Sequence, residues 1–235
     1  MTITLYKIKH SFLLAFVGAL FISFTGMAQQ TQSFKEQLEE RESHLLYQQT
    51  ALKEFVDNGV LLVRIRSYQN EITYWERIGG EEGKAGLDRT AKKVAGITRA
   101  LKAAFQQFDL CPVYFYYTND AKAVMHGDYS KLIGGGGDFD RTRRVFHLDS
   151  DHFPSASMSS SINGFGVFND GFQLLSKPFP STVRKFELFA FLGADRSYSE
   201  MVEILQRKIK EAHAALLLRE KMDAEKGEKG FLGIF

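Results

Sequence analysis

Two short apolar runs on either side of a long helical pattern constrain this chain more than anything else in it. Val60 to Ile65 is a β-branched and aliphatic run that follows the turn signal Asn58-Gly59. Its start is apolar at successive positions, which predicts a strand covered on both faces and central in a sheet. Val113-Tyr114-Phe115-Tyr116-Tyr117-Thr118, opened by Cys111-Pro112, is the strongest strand signal in the sequence. Between the two, Leu87, Ala91, Val94, Ile97, Leu101, Ala104, Phe105 and Phe108 recur at helical spacing. Gly83, Gly86 and Gly96 weaken that pattern, so its firm part is predicted from about Leu87 to Gln107. Strand, helix, strand in this order predicts a βαβ crossover with parallel strands.

The remaining elements extend that unit. A helix is predicted from about Phe34 to Asp57, on a Ser33/Glu36 capping box and the spacing of Phe34, Leu38, Leu45, Leu52 and Phe55. Tyr68 to Gly80 reads as a short helix or an elaborated loop. Thr118-Asn119-Asp120 reads as a turn, and Lys122 to His126 as a returning strand that closes a β-hairpin. Val145 to Leu148 is a further strand, Ile162 to Leu175 a strand with a bent connection, and Val183 to Leu192 a last strand after the turn Lys177-Pro178-Phe179-Pro180. Ser197 and Glu200 form a second capping box, behind which Met201, Val202, Leu205, Ile209, Ala212 and Leu216 predict a helix to about Met222. The fold class is α/β or α+β: a single mixed sheet, with a βαβ start and an antiparallel hairpin, packed by helices that include amphipathic ones at both ends. The divisions are a leader over 1–28, an N-terminal amphipathic helix over 29–58, one globular α/β domain over 59–222 and a tail over 223–235.

The leader rests on charge and length. Lys7 and Lys9 precede an apolar run from Phe12 to Phe24, and no acidic residue occurs before Glu36. Thr25-Gly26-Met27-Ala28 ends the run with small residues at the positions a signal peptidase reads, which predicts cleavage between Ala28 and Gln29. The apolar run is short of the roughly 20 residues that a membrane-spanning helix takes. The segment is similar in style to the export signals of bacterial envelope proteins, so the processed chain is expected in the periplasm or outside the cell, with no stable transmembrane segment. Removing Lys7 and Lys9 with the leader leaves 28 basic and 28 acidic residues. A neutral chain has no overall field to draw it to nucleic acid.

Candidate chemistry is sparse. Cys111 is the single cysteine, so an intramolecular disulfide, a C-x-x-C redox pair and a four-cysteine zinc site are all excluded within one chain. Placed before a strand, Cys111 is a candidate nucleophile. On a strand, His147, Asp149 and Asp151 point to one face, and His152 follows. Imidazole and carboxylate together hold divalent metals, so these four are the candidate ligands, with His126 or His213 available to complete a set. Their spacing matches neither H-E-x-x-H nor an EF-hand loop. Gly134 to Gly137 lacks the pattern of a phosphate loop, and the neighbouring Arg141, Arg143 and Arg144 sit beside Asp138 and Asp140.

The expectation that follows is a non-catalytic envelope binding module. It would meet a protein partner through its N-terminal helix or its C-terminal tail, where Phe231-Leu232-Gly233-Ile234-Phe235 is apolar. The alternatives are a metal-dependent hydrolase on His147, Asp149, Asp151 and His152, and a thiol enzyme on Cys111. No cofactor is expected beyond that divalent metal.

Overall fold

The structure, a computed structural model, describes residues 36–134, 138–150, 164–184 and 196–232. Its elements, in chain order, are helix α1 (36–58), β1 (Gly59–Ile65), α2 (Gln69–Ile78), α3 (Gly80–Ala104), β2 (Val113–Tyr117), α4 (Ala121–Met125), β3 (Arg144–Asp149), β4 (Gly164–Phe168), β5 (Thr182–Arg184) and α5 (Tyr198–Leu232). The chain divides into two compact units, up to Tyr47 and from Gln48 onward. In the first, residues 36–47 are helical and exposed. The account below concerns the second.

Five strands form one mixed sheet in the order β2-β1-β3-β4-β5. β1 lies parallel to both β2 and β3, so Val63 stands beside Phe115 on one side and Leu148 on the other. β3 to β4 and β4 to β5 are antiparallel. The mixed sheet with packed helices and the parallel βαβ start agree with the sequence reading.

β1 explains the rest of the architecture. Leu61, Val63 and Ile65 face the larger apolar cluster, with Ala51, Leu52 and Phe55 of α1, Leu101 of α3 and Leu205 of α5. Val60 and Leu62 face a smaller cluster with Tyr116, Val124, Leu132 and Phe139. The connection from β1 to β2 therefore packs on the first face and the connection from β2 to β3 on the second. Phe55 sits at the centre of the larger cluster, edge-on to Phe146 at 5.0 Å, Phe179 at 5.5 Å and Phe108 at 6.4 Å. The passage from α1 to β1 takes no loop at all. A Cβ on Gly59 would stand 2.3 Å from the carbonyl oxygen of Phe55, so only glycine fits this junction.

Two local readings change. Lys122 to His126 does not return as a strand: Thr118–Asp120 forms a 3-10 turn and Ala121–Met125 is α4. The alternation of Lys122, Val124 and His126 serves either period. The run Ala121-Lys122-Ala123 favours helix, and only Val124 is buried. The antiparallel pairing comes later, between β3 and β4 and between β4 and β5. Tyr68 to Gly80 resolves as α2 and the start of α3, which extends to Gly80, well before the predicted Leu87. The Ser197/Glu200 box is formed: the Glu200 carboxylate accepts the Ser197 N–H at 2.7 Å, and Ser197 Oγ accepts the Glu200 N–H at 3.3 Å. The leader with Ala28 and Gln29, Ser33, most of the run from Val183 to Leu192, and the last three residues lie outside the described residues. No helix among the described residues is long and apolar enough to cross a membrane.

The helical glycines Gly86 and Gly96 yield opposite expectations. A Cβ at Gly86 would meet the Trp75 ring at 2.1 Å, whereas one at Gly96 meets nothing within 4 Å. Gly96→Ala should stabilise the protein by about 0.5–1 kcal/mol through helix propensity. Gly86→Ala should destabilise it by about 1–3 kcal/mol through overpacking. Urea unfolding of the two variants beside the parent checks both signs.

Candidate functional site

The chemistry-bearing residues are best taken from the sheet outward. At the start of β2, Cys111 is half-buried against the larger cluster. Burial pushes its thiol up to about 12, against a smaller lowering by the Arg143 charge. At neutral pH the nucleophilic thiolate is then a negligible fraction, the reverse of what a thiol enzyme requires.

His147 and Asp149 do share a face of β3, as their alternation predicts, but each is engaged elsewhere. His147 is 4 % exposed. Its Nδ1 lies 3.3 Å from the Tyr116 hydroxyl, and the Phe172 ring lies over it at 4.1 Å. Burial, reinforced by the nearby Arg64 charge, lowers its pKa to about 4, so the ring is neutral at pH 7. Asp149 is ion-paired with Arg64, its neighbour across the parallel register. Ser150 Oγ donates to the Arg64 carbonyl at 3.0 Å. Asp151 and His152 lie outside the described residues. His126 is exposed and bonded to the Lys122 carbonyl at 2.6 Å. His213 is on α5, which packs on the opposite face of the sheet from His147. Among the described residues no three His, Cys, Asp or Glu side chains gather to hold a metal. The arginines are also committed: Arg144 pairs with Glu54, and Arg143 lies 3.4 Å from Asp140.

The feature that sequence reasoning missed lies where β1 and β2 end. A cleft of about 400 Å³ is lined by Arg66, Ser67, Tyr68, Gln69, Asn70, Glu71, Thr118 and Asn119. Six of these residues belong to the passage from β1 into α2 and its first turn, and two, Thr118 and Asn119, to the turn after β2. Both sit beyond the carboxyl ends of parallel strands, the edge of the sheet on which open α/β folds bind ligands; the reversal of strand order falls beside them, between β1 and β3. The wall is braced internally. Ser67 Oγ donates to Asn119 Oδ1, Asn119 Nδ2 donates to Gln69 Oε1 at 3.0 Å, and Thr118 Oγ1 donates to the Ile65 carbonyl at 3.1 Å. Ser67 is buried. Tyr68 turns the chain with a left-handed φ of 56°, uncommon for a residue other than glycine. Two cations approach its ring, Lys93 Nζ at 3.8 Å and the Arg66 guanidinium at 5.0 Å from the centroid. The readable signal was positional: Ser67-Tyr68-Gln69-Asn70 and Thr118-Asn119-Asp120 are the polar stretches that follow two parallel strands.

Comparison with known proteins gave no match: no family model, no curated protein and no solved structure is similar to the chain at the level searched. What fold and site define is a class, a mixed α/β sheet with a polar cleft at its parallel strand ends.

The buried imidazole sets a pH dependence. The folded pKa of His147, about 4, is below its ordinary 6.5, so protonation favours the unfolded chain. Its stabilising contribution is present above pH 6.5 and is lost as pH falls from 6.5 through 4. Between pH 7 and pH 5 the loss should be on the order of 2 kcal/mol. His147→Gln should flatten that slope. Urea midpoints of both proteins across this range measure it, above the pH at which carboxylates dominate.

Proposed function

We propose that the chain is exported through its leader and acts in the bacterial envelope as a binding module, holding a small polar ligand in the cleft at the ends of β1 and β2. The observation that carries this reading is the cleft's position at the carboxyl ends of parallel strands, with a wall of amides and hydroxyls fixed by their own hydrogen bonds. A preset polar wall binds with little ordering cost, which suits recognition. A thiol mechanism gains no support from a Cys111 whose thiolate is suppressed. A hydrolase on His147 and Asp149 would first have to release them from Tyr116 and Arg64. Contact with an envelope protein through the 29–58 helix or the 223–235 tail is compatible with a ligand in the cleft.

Export is tested by expressing the full chain in a bacterial host and weighing the product. The expected mass begins at Gln29 and the protein leaves with the periplasmic fraction; an intact N-terminus in the cytoplasm would sink that part of the proposal. Binding is tested by screening neutral and charged polar fragments against backbone amide spectra of the purified chain. Shifts should cluster on Ser67, Gln69, Thr118 and Asn119, and Asn119→Trp, which fills the cleft, should abolish them. Fragments that map only to other surfaces would remove the cleft from the account.

A further inference from the structure

We infer that the ligand of this cleft carries an oxyanion, a phosphate or carboxylate group, and that Arg66 is its principal anchor; the inference rests on the cleft being the binding site. Two charged side chains line the cleft, Arg66 and Glu71. Glu71 is already neutralised, since its carboxylate accepts from Lys93 Nζ at 3.0 Å. Arg66 is exposed and has no carboxylate partner among the described residues; its guanidinium lies over the face of Tyr68. Because Lys93 offsets Glu71, the guanidinium leaves the cleft with a net positive charge, which a planar two-pronged anion satisfies best.

The hydrogen-bonding balance of the wall points the same way. Two of its side-chain acceptors are occupied: Asn119 Oδ1 takes the Ser67 hydroxyl, and Gln69 Oε1 takes the Asn119 amide. The Ile65 carbonyl beneath takes the Thr118 hydroxyl. Donors are left over, namely the Gln69 amide nitrogen and the second hydrogen of Asn119 Nδ2. The first turn of α2 adds to them, because Tyr68 provides no side-chain cap and the first intrahelical bond comes from Ile72 N–H, at 3.1 Å to the Tyr68 carbonyl. A wall that offers these donors beside the Arg66 charge suits a ligand group that only accepts, and an oxyanion is that group. A cleft of about 400 Å³ has room for the anionic group together with the body of a small metabolite.

The test is a titration of the purified chain with inorganic phosphate, with acetate and with glycerol at matched ionic strength, read from backbone amide shifts. Phosphate or acetate should saturate shifts at Gln69, Asn70, Glu71 and Asn119, and the tighter of the two names the source of the oxyanion. Arg66→Gln should weaken that binding about tenfold or more while leaving the rest of the spectrum in place. Lys84→Gln, at an exposed position outside the cleft, should change nothing. If glycerol moves the cleft amides and neither anion does, the cleft stands as a site and the oxyanion is overturned. If the anions bind equally well to Arg66→Gln, the anchor is overturned. If nothing moves these amides, including the fragments used for the cleft itself, the site and this inference fall together.

Discussion

The central strand β1 must be covered on both faces, and the rest of the molecule is arranged to do it. Its side chains alternate between two apolar clusters, with Leu61, Val63 and Ile65 on one side and Val60 and Leu62 on the other. Burying a branched or aliphatic side chain contributes roughly 1.5–3 kcal/mol relative to leaving it in water, so neither face can be left open. The chain meets this by sending one crossover over each face. Helices α1, α3 and α5 close the larger side, while α4 and the segment carrying Leu132 and Phe139 close the smaller. With both faces occupied, polar groups of the strands reach solvent chiefly where the strands end.

That confinement accounts for the chemistry at the carboxyl end of the sheet. Arg64 takes the last position of β1 on the smaller face, and its charge is met by Asp149, the residue beside it on β3. Removing either partner would leave a half-buried charge uncompensated, a costlier outcome than replacing both. One step inward, the Tyr116 hydroxyl and His147 Nδ1 satisfy each other at 3.3 Å. The bend after β4 then lays Phe172 over the imidazole, and it is held in shape by Gln173 N–H to Asn169 Oδ1 at 2.8 Å and Asn169 N–H to the Gln173 carbonyl at 3.0 Å. Phe172 has a left-handed φ of 57° in that bend. Burial under Phe172, with the Arg64 charge nearby, holds His147 neutral, and the open polar surface is left to the neighbouring loops after β1 and β2.

Where periodicity had one interpretation, the fold was legible. Val60 to Ile65 and Val113 to Tyr117 are too rich in β-branched and aromatic residues, and too short, to be anything but strands. Leu101, Ala104 and Phe105 keep helical spacing up to the core. Lys122 to His126 was misread because alternation over five residues fits either period, and the deciding facts, the exposure of Lys122 and His126 and the burial of Val124, belong to the packed chain. The pairing of His147 with Asp149 on one strand face was visible in the alternation, but what each touches was not. Tyr116 and Arg64 lie far from them in the sequence and become neighbours only through the parallel register. The cleft itself has no motif, since Ser67, Gln69, Thr118 and Asn119 are ordinary turn residues.

By itself the sequence determined the class of fold, the central place of β1, the parallel βαβ start and the exclusion of an intramolecular disulfide or C-x-x-C pair, because these follow from local periodicity and from counting a single cysteine. Only the tertiary structure decided that the loops after β1 and β2 face each other across a cleft, that Cys111 is held as a thiol and that His147 is held neutral. Those outcomes depend on which crossover covers which face of the sheet and on the desolvation that results. Both are properties of contacts between residues distant in the chain, and no local pattern encodes them.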